Sequence, residues 1–373
     1  MNIAHVTDSM EMGGAEKLTA VFCRLQRDRG HHATVHCLFS IGVLGDELRN
    51  EGFDVTLHHP PSFVGLMRSL YRDFKSSTPD VVHFHNATAA IVGALPARLA
   101  GVKTVIATRH GLVAPPYQLR RELKFALASR WCDWIVGVCE GTRTNLLGAP
   151  FADGGKIIHI YNGASPVNIE TIPQPKSGFT LLHVGRMVPA KDHATLLRAV
   201  ALARPRIPDM RLWIVGDGPL APTLRTLSGD LGLSECVTFF GERNDISSFL
   251  AAADLFVMPS ISEGLPVSLL EAMSAGLPAV VTDVGGMGEV ARLSRAATFA
   301  PRSDPQALSE VLCRTAERRN ELPKIGQLAR RCYQERFTPE RMLDDYMRLY
   351  TTVADRPLDR IAVRPEENPS IRA

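Results

Sequence analysis

Two α/β domains, each built on a doubly wound parallel sheet, are what this sequence predicts, and three observations carry the prediction. The 373 residues exceed what one hydrophobic core usually covers, so two domains are expected. Short apolar runs alternate with amphipathic stretches along both halves of the chain, the pattern of repeated βαβ units. Between the halves, "NGASPVNIETIPQPKSG" (Asn162 to Gly178) gathers Pro, Gly, Ser and Asn without periodicity and reads as a linker.

Taken in order, "NIAHVT", "HATVHCL", "DVTLHH", "DVVHFH", "TVIATRH" and "WIVGVC" read as buried parallel strands of the first half. Amphipathic segments such as Ala15 to Arg29 separate them. In the second half, "FTLLHVGR", "RLWIVGD", "VTFFGE", "LFVMPS", "PAVVTD" and "ATFA" repeat the pattern. The expected division is a first domain over 1–165, a linker over 166–178, a second domain over 179–338, a last helix over 339–354, and a polar tail over 355–373. The tail, rich in proline and charge, reads as disordered. In doubly wound sheets ligands bind beyond the carboxyl ends of the strands, and two such domains facing each other make a cleft.

Composition narrows the function classes. A net charge of +3 suits anionic small ligands or a membrane surface and is too weak to argue for nucleic acid. The seven cysteines are scattered and never form C-x-x-C, which argues for reduced thiols in a cytosol and against a zinc site. "MNIAHVTDSM" has neither a basic region nor a sustained apolar core, so it does not read as a signal peptide, and nowhere do 18 uncharged apolar residues run together.

The βα junctions of the second half carry the chemistry. "GRMVPAK" sets Arg186 and Lys191 just beyond a strand, where a fork and a point charge suit a diphosphate; a solvated charge pair is the other reading. "VGDGPL" puts Gly216 and Gly218 in a turn that lets backbone approach a ligand, but it lacks the third glycine and acidic residue of a dinucleotide fingerprint, so an ordinary βα turn is the better reading of it alone. "FFGERND" ends another strand with a glycine, where a flat base has room.

"SEGLPVSLLEAMSAGLPAVVTD" is the most specific stretch. Pro266 suits a first helical turn, and Gly276 with Pro278 supplies a stop, predicting a helix from Pro266 to Ala275. Gly264 and Leu265 would then offer backbone N–H groups at a helix start, an anion site. Glu263 precedes the helix and Glu271 lies more than a turn inside it, and both can accept from sugar hydroxyls, which would offset their desolvation. The alternative is a dipole-stabilising Glu263 and a solvated Glu271.

These stretches, with "EV" further on, resemble the nucleotide-sugar domain of family 4 glycosyltransferases, retaining enzymes of the GT-B fold whose hallmark is an E-x7-E pair, here Glu263 and Glu271. The first half resembles the family through "GGAEK", "DVVHFHN", "TRHG", "VGVCEGTR" and "KIIHIYNGAS". The resemblance covers nearly the whole chain except the tail. It implies that Arg186 and Lys191 hold a donor diphosphate, Glu271 the ribose hydroxyls and Glu263 a hydroxyl of the donor sugar. Gly264, Leu265 and Pro266 would border sugar and phosphate, Glu242 and Arg243 the base beside Gly216, and Gly13 and Gly14 would bring the first βα loop close. His110 would lie across the cleft near the sugar, although a lone histidine after a strand is as often structural. The family also implies a last helix that returns to the first domain, an acceptor held mainly there, and no cofactor beyond the nucleotide sugar.

Two further expectations concern metal and membrane. No D-x-D occurs, so Arg186 and Lys191 would replace a divalent ion at the diphosphate, and no metal ligands are expected. His31-His32, His58-His59 and His83/His85 read as polar loop or strand-end residues lacking carboxylate or cysteine partners at ligand spacing, with His85 near the cleft. "LMRSLYRDFK" (Leu66 to Lys75) and "QLRRELKFALASRW" (Gln118 to Trp131) are basic and amphipathic, as helices lying on anionic membranes are; ordinary surface helices are the alternative. The resulting expectation is a UDP- or GDP-linked sugar transferred to a glycan or lipid-linked hydroxyl by a cytoplasmic protein, on the inner membrane face if those helices bind lipid. Transfer to a soluble molecule or protein, a nucleotide-sugar epimerase and a non-catalytic nucleotide-binding protein are the competing readings.

Overall fold

Thirteen strands form two all-parallel sheets in a computed structural model that describes residues 1–60, 62–112, 119–149, 153–167 and 178–352. Most of the expected linker (168–177) and the whole expected tail (355–373) lie outside the described residues. The first sheet contains β1 (Asn2–Ser9), β2 (His32–Ser40), β3 (Asp54–Leu57), β4 (Val81–His85), β5 (Thr104–Arg109), β6 (Trp134–Gly137) and β7 (Ile157–His159). The second contains β8 (Phe179–Val184), β9 (Met210–Val215), β10 (Val237–Gly241), β11 (Leu255–Met258), β12 (Ala279–Thr282) and β13 (Ala297–Ala300).

Both sheets are wound alike, β3-β2-β1-β4-β5-β6-β7 and β10-β9-β8-β11-β12-β13. Each chain half begins at the sheet centre, winds to one edge and then crosses back. That reversal leaves a crevice beyond the carboxyl ends of β1 and β4 in one sheet, and of β8 and β11 in the other. Continuous apolar runs explain why these strands are buried on both faces: Val81 to His85 and Leu255 to Met258 are wholly buried. β7 is the one strand the apolar runs did not announce, because it is three residues long and lies at the sheet edge.

The helix Pro339–Thr351 packs on the first sheet, not the second. Its Leu343, Tyr346 and Leu349 share a core with Ile3, Leu18 and Phe22. The chain therefore crosses between the halves twice. A second apolar cluster joins Val138, Cys139 and Ala164 to Leu265, Val284 and Met287, tying the halves beside the cleft. All seven cysteines are unpaired and buried.

Candidate active site

Loops from both sheets enclose a cleft of about 1260 Å³. Arg186 and Lys191 follow β8, Glu263 follows β11, and Gly13 and Gly14 follow β1 from the opposite side. Glu242, Arg243, Gly216, Gly264, Leu265, Pro266, Glu271 and His110 border the same space. Residues scattered over 250 positions of the sequence thus meet because both crevices open toward one another.

The closest charge pair in the cleft joins Lys191 to Glu263. Nζ lies 2.6 Å from Oε1, and both side chains are largely covered, at 16% and 12% exposure. At that distance and burial the pair is screened far less than a surface ion pair. Lys191 sits in a short 3₁₀ turn, Pro189–Lys191, whose following residue Asp192 has φ 50° and caps the helix His193–Ala203 through its carboxylate. The turn is pinned on the other side by the Ile261 N–H, which donates to the Ala190 carbonyl at 2.9 Å. A cation and a carboxylate are thereby held at one point by backbone geometry. Arg186, by contrast, is exposed on the cleft wall.

The helix carrying Glu271 starts one residue later than the sequence predicts, spanning Val267–Ser274 with Pro266 as its N-cap in extended conformation, φ −70° and ψ 126°. The orphan N–H groups of the helix start are therefore those of Val267 and Ser268, whereas Gly264 and Leu265 lie ahead of it. The carbonyls of the latter two are engaged: Gly264 accepts from the Gly286 N–H at 2.6 Å, and Leu265 accepts from Asn162 Nδ2 at 3.0 Å. Gly264 also has no room for a side chain, because a Cβ would enter the His110 carbonyl. Glu271 is half-buried, and burial pushes its carboxyl pKa up while the charge of Lys17 draws it down. The charge that offsets this burial comes from a lysine of the opposite domain.

The glycines do what close approach requires. Gly216 has φ 129°, donates to the Gly241 carbonyl at 2.7 Å, and lies against the Gly185 carbonyl where a Cβ has no space. A Cβ on Gly14 would come 3.6 Å from Val267 Cγ2, so the first loop rests on the start of the Glu271 helix. Glu242 and Arg243 are exposed on the rim, where Arg243 forks onto Asp245 at 2.8 and 2.9 Å. His110 follows β5; its ring lies against that of His85, 5.7 Å between centroids, and its Nε2 is buried without a partner. Burial lowers its pKa to about 4, so the ring is a neutral imidazole at neutral pH.

Five cleft or near-cleft residues are not assigned by the sequence. Asn162, the buried first residue of the quoted linker stretch, donates to the Leu265 carbonyl. Lys17 faces Glu271, and Glu16 lies near Arg186; burial raises the Glu16 pKa, to which the charge of Asp8 adds and that of Arg186 opposes. Asp8 is likewise raised by burial, against hydrogen bonding from Thr88 and the charge of Arg121. The glycines of "GGAEK" are its obvious signal, yet its two charged residues, Glu16 and Lys17, also line the cleft. Glu289, within the quoted "EV", bonds the Tyr161 hydroxyl and, at 3.3 Å, the Gly141 N–H, so it joins the domains beside the cleft.

The histidine expectations need correction. His85 does close β4 and lies against His110 beside the cleft, but neither it nor His83 is solvated: both are wholly buried, in a network with His5, Gln26, Thr108 and Tyr350. His58 is also buried, and it does have a carboxylate nearby, Asp73, 3.5 Å away. Spacing along the chain missed that partner because the fold, not the local sequence, brings the helix Phe63–Ser77 over β2 and β3.

With this geometry in hand, comparison with known proteins places the chain. Residues 178–318 match the family described as glycosyl transferases group 1, and residues 12–167 match glycosyltransferase family 4. The chain belongs to the family 4 glycosyltransferases. It is 32% identical over 241 residues to the UDP-Gal:alpha-D-GlcNAc-diphosphoundecaprenol alpha-1,3-galactosyltransferase of Escherichia coli, an alignment covering 58% of this chain and 61% of that protein. It is 29% identical over 314 residues to the GDP-mannose-dependent alpha-(1-6)-phosphatidylinositol monomannoside mannosyltransferase of Mycobacterium tuberculosis, covering 74% of this chain and 78% of that protein. In fold it is similar to Anabaena HepE crystallised with UDP-glucose, with a TM-score of 0.84 at 21% identity over 94% of this chain and 99% of that one. Two facing doubly wound domains are thus the GT-B arrangement.

Proposed function

We propose that this protein is a retaining, metal-independent glycosyltransferase that moves a sugar from a UDP- or GDP-linked donor to a hydroxyl of a lipid-linked or growing envelope glycan. The observation that carries the reading is the Lys191–Glu263 pair at 2.6 Å in the interdomain cleft. A diphosphate and a donor sugar meet at the anomeric bond, so a phosphate-binding cation and a hydroxyl-binding carboxylate belong side by side. Breaking that bond places negative charge on the leaving diphosphate, which Lys191, Arg186 and the N–H groups of Val267 and Ser268 are set to stabilise. Glu271, opposite Lys17, suits the ribose diol, and Gly216 with Glu242 and Arg243 leaves backbone-lined room for the base. The leaving phosphate oxygen would take the acceptor proton on the same face. His110, neutral and with a buried unpartnered nitrogen, suits a hydrogen bond to the sugar rather than a proton relay.

Acceptor binding falls to the first domain. The helices Phe63–Ser77 and Leu119–Ser129 flank a groove of about 810 Å³ floored by Ile91 and Val92, with Phe63 and Leu119 half-exposed on its walls. Arg120, Arg121 and Lys124 line it too, so an apolar chain with an anionic headgroup suits it. The names of both curated relatives specify lipid-linked acceptors. No helix among the described residues is long and apolar enough to cross a membrane. The basic groove and the relatives' lipid-linked acceptors support a peripheral location on the cytoplasmic face.

Lys191→Ala and Glu271→Ala should each lower turnover at least about tenfold, or ~1.4 kcal/mol of transition-state stabilisation. Near-normal rates in both folded variants, at saturating and subsaturating donor, would sink the assignment. Epimerised sugar released from donor without acceptor would favour an epimerase instead.

A further inference from the structure

Outside the donor cleft, three side chains of the first domain converge on one point. β2 supplies His36, the residue after β3 is His58, and the helix Phe63–Ser77 supplies Asp73. His36 Nδ1 lies 3.0 Å from His58 Nε2, and the Asp73 Oδ2 atom lies 3.5 Å from His58 Nε2 and 3.9 Å from His36 Nδ1. Ligand atoms around a tetrahedral Zn²⁺, each about 2.0–2.1 Å from the metal, stand roughly 3.3 Å apart. The three donors are therefore already near coordination spacing.

The surroundings of the rings strengthen the point. His58 Nδ1 is held by Ser69 Oγ at 2.8 Å, and His36 Nε2 faces Thr34 Oγ1 at 3.4 Å. Each imidazole thus has a hydroxyl on one nitrogen and directs the other at the shared point, the outer arrangement that orients metal-bound histidines. Both rings are buried, whereas Asp73 is 38% exposed and leaves the point open to entering ions. The other histidine cluster differs. His83 has both nitrogens occupied, by Tyr350 Oη at 2.8 Å and Thr108 Oγ1 at 2.7 Å, and His5 is spanned between His85 and Gln26. Most of that cluster's ring nitrogens are thus taken up by hydrogen bonds, and it has no carboxylate among its members.

We propose that His36, His58 and Asp73 form a site for a divalent transition ion, Zn²⁺ by its donor set, with water completing the coordination. The ion would replace the proton shared between the two rings, releasing it to solvent. It would clamp the helix that walls the acceptor groove to the edge of the first sheet, where β3 lies. The inference is independent of the transferase reading, since it concerns metal binding and not turnover.

The test is titration of the chelator-treated full-length protein with Zn²⁺ by calorimetry and with Co²⁺ by visible absorption. The expected result is one saturable site with the intense bands of low-coordinate cobalt, weakened more than about tenfold in Asp73→Asn. His32→Ala, which removes the exposed His32–Asp54 pair at 3.6 Å, should leave binding unchanged. Thermal melting of Asp73→Asn without metal checks that it is folded. Absence of a saturable site in the wild type, equal affinity in Asp73→Asn, or loss of binding in His32→Ala would each overturn the proposal.

Discussion

The two halves of the molecule share one winding order and differ in what their strands deliver. In the second half the carboxyl ends of β8 and β11 lead to Arg186, Lys191 and Glu263, charged groups aimed into the cleft. In the first half the polar groups lie inside the sheet: His5, His36, His83 and His85 are buried within β1, β2 and β4. One scaffold thus serves two purposes. The second half offers charge to a diphosphate, while the first buries its strand histidines in internal order and presents an apolar, basic-rimmed groove beside the cleft.

Acid is the largest lever on this difference. Burial lowers His5 to about 4 and His36 to about 3, against an unfolded value of 6.5. Between pH 6.5 and about 4 the unfolded chain therefore binds protons that the folded chain does not, and stability falls as pH drops. Each such histidine contributes about 1.4 kcal/mol per pH unit in that window. The raised carboxyls of Asp8, Glu16 and Glu271 act with the opposite sign and offset part of the loss. The second half has its own buried pair, His183 and His193, but the first has more. Fluorescence of Trp131 and Trp134 should accordingly change at higher pH than that of Trp213, read in Trp213→Phe and in a variant lacking the first two. Simultaneous transitions would erase the asymmetry.

The contact between the halves is the next target. Gly264→Ala forces a methyl into the His110 carbonyl and toward Val138 Cγ2 at 3.2 Å, so it should cost about 1–3 kcal/mol and reduce turnover as the domains are held apart. An unchanged Tm and rate would mean that Gly264 is not where the halves meet in solution. The smallest effect concerns the groove. Arg120→Ala and Lys124→Ala should each weaken binding to anionic vesicles by about 1 kcal/mol, roughly fivefold, with neutral vesicles unaffected. Equal partitioning of wild type and variants would remove the membrane reading while leaving the donor site intact.

The second half was the more legible in sequence for a physical reason. Its strands, loops and the Glu263–Glu271 stretch are local: a βα junction puts a strand, a charged turn and a helix start within a few residues, and such short-range patterns survive in the order of letters. All six of its strands follow the apolar runs. Pro266 misled by one position, because proline suits an N-cap in extended conformation as well as a first turn. What sequence could not show is pairing across distance. Lys191 meeting Glu263, Lys17 facing Glu271, Asn162 holding Leu265 and Asp73 reaching His58 all depend on where separate elements come to rest. The buried histidines of β4 were misread for the same reason, since a polar residue is known to be internal only once its partners are in place.

The central claim is that a nucleotide-diphosphate sugar binds the second half through Arg186, Lys191, Glu263 and Glu271. Thermal shift of the wild type and of Glu271→Ala against a panel of UDP- and GDP-linked sugars tests it most directly, since ligand at a hundred times its Kd stabilises the native state by about 2.7 kcal/mol. The account predicts that one nucleotide class raises the wild-type Tm and that Glu271→Ala, folded, loses most of that shift. A panel without any shift, or an equal shift in both proteins, would contradict it.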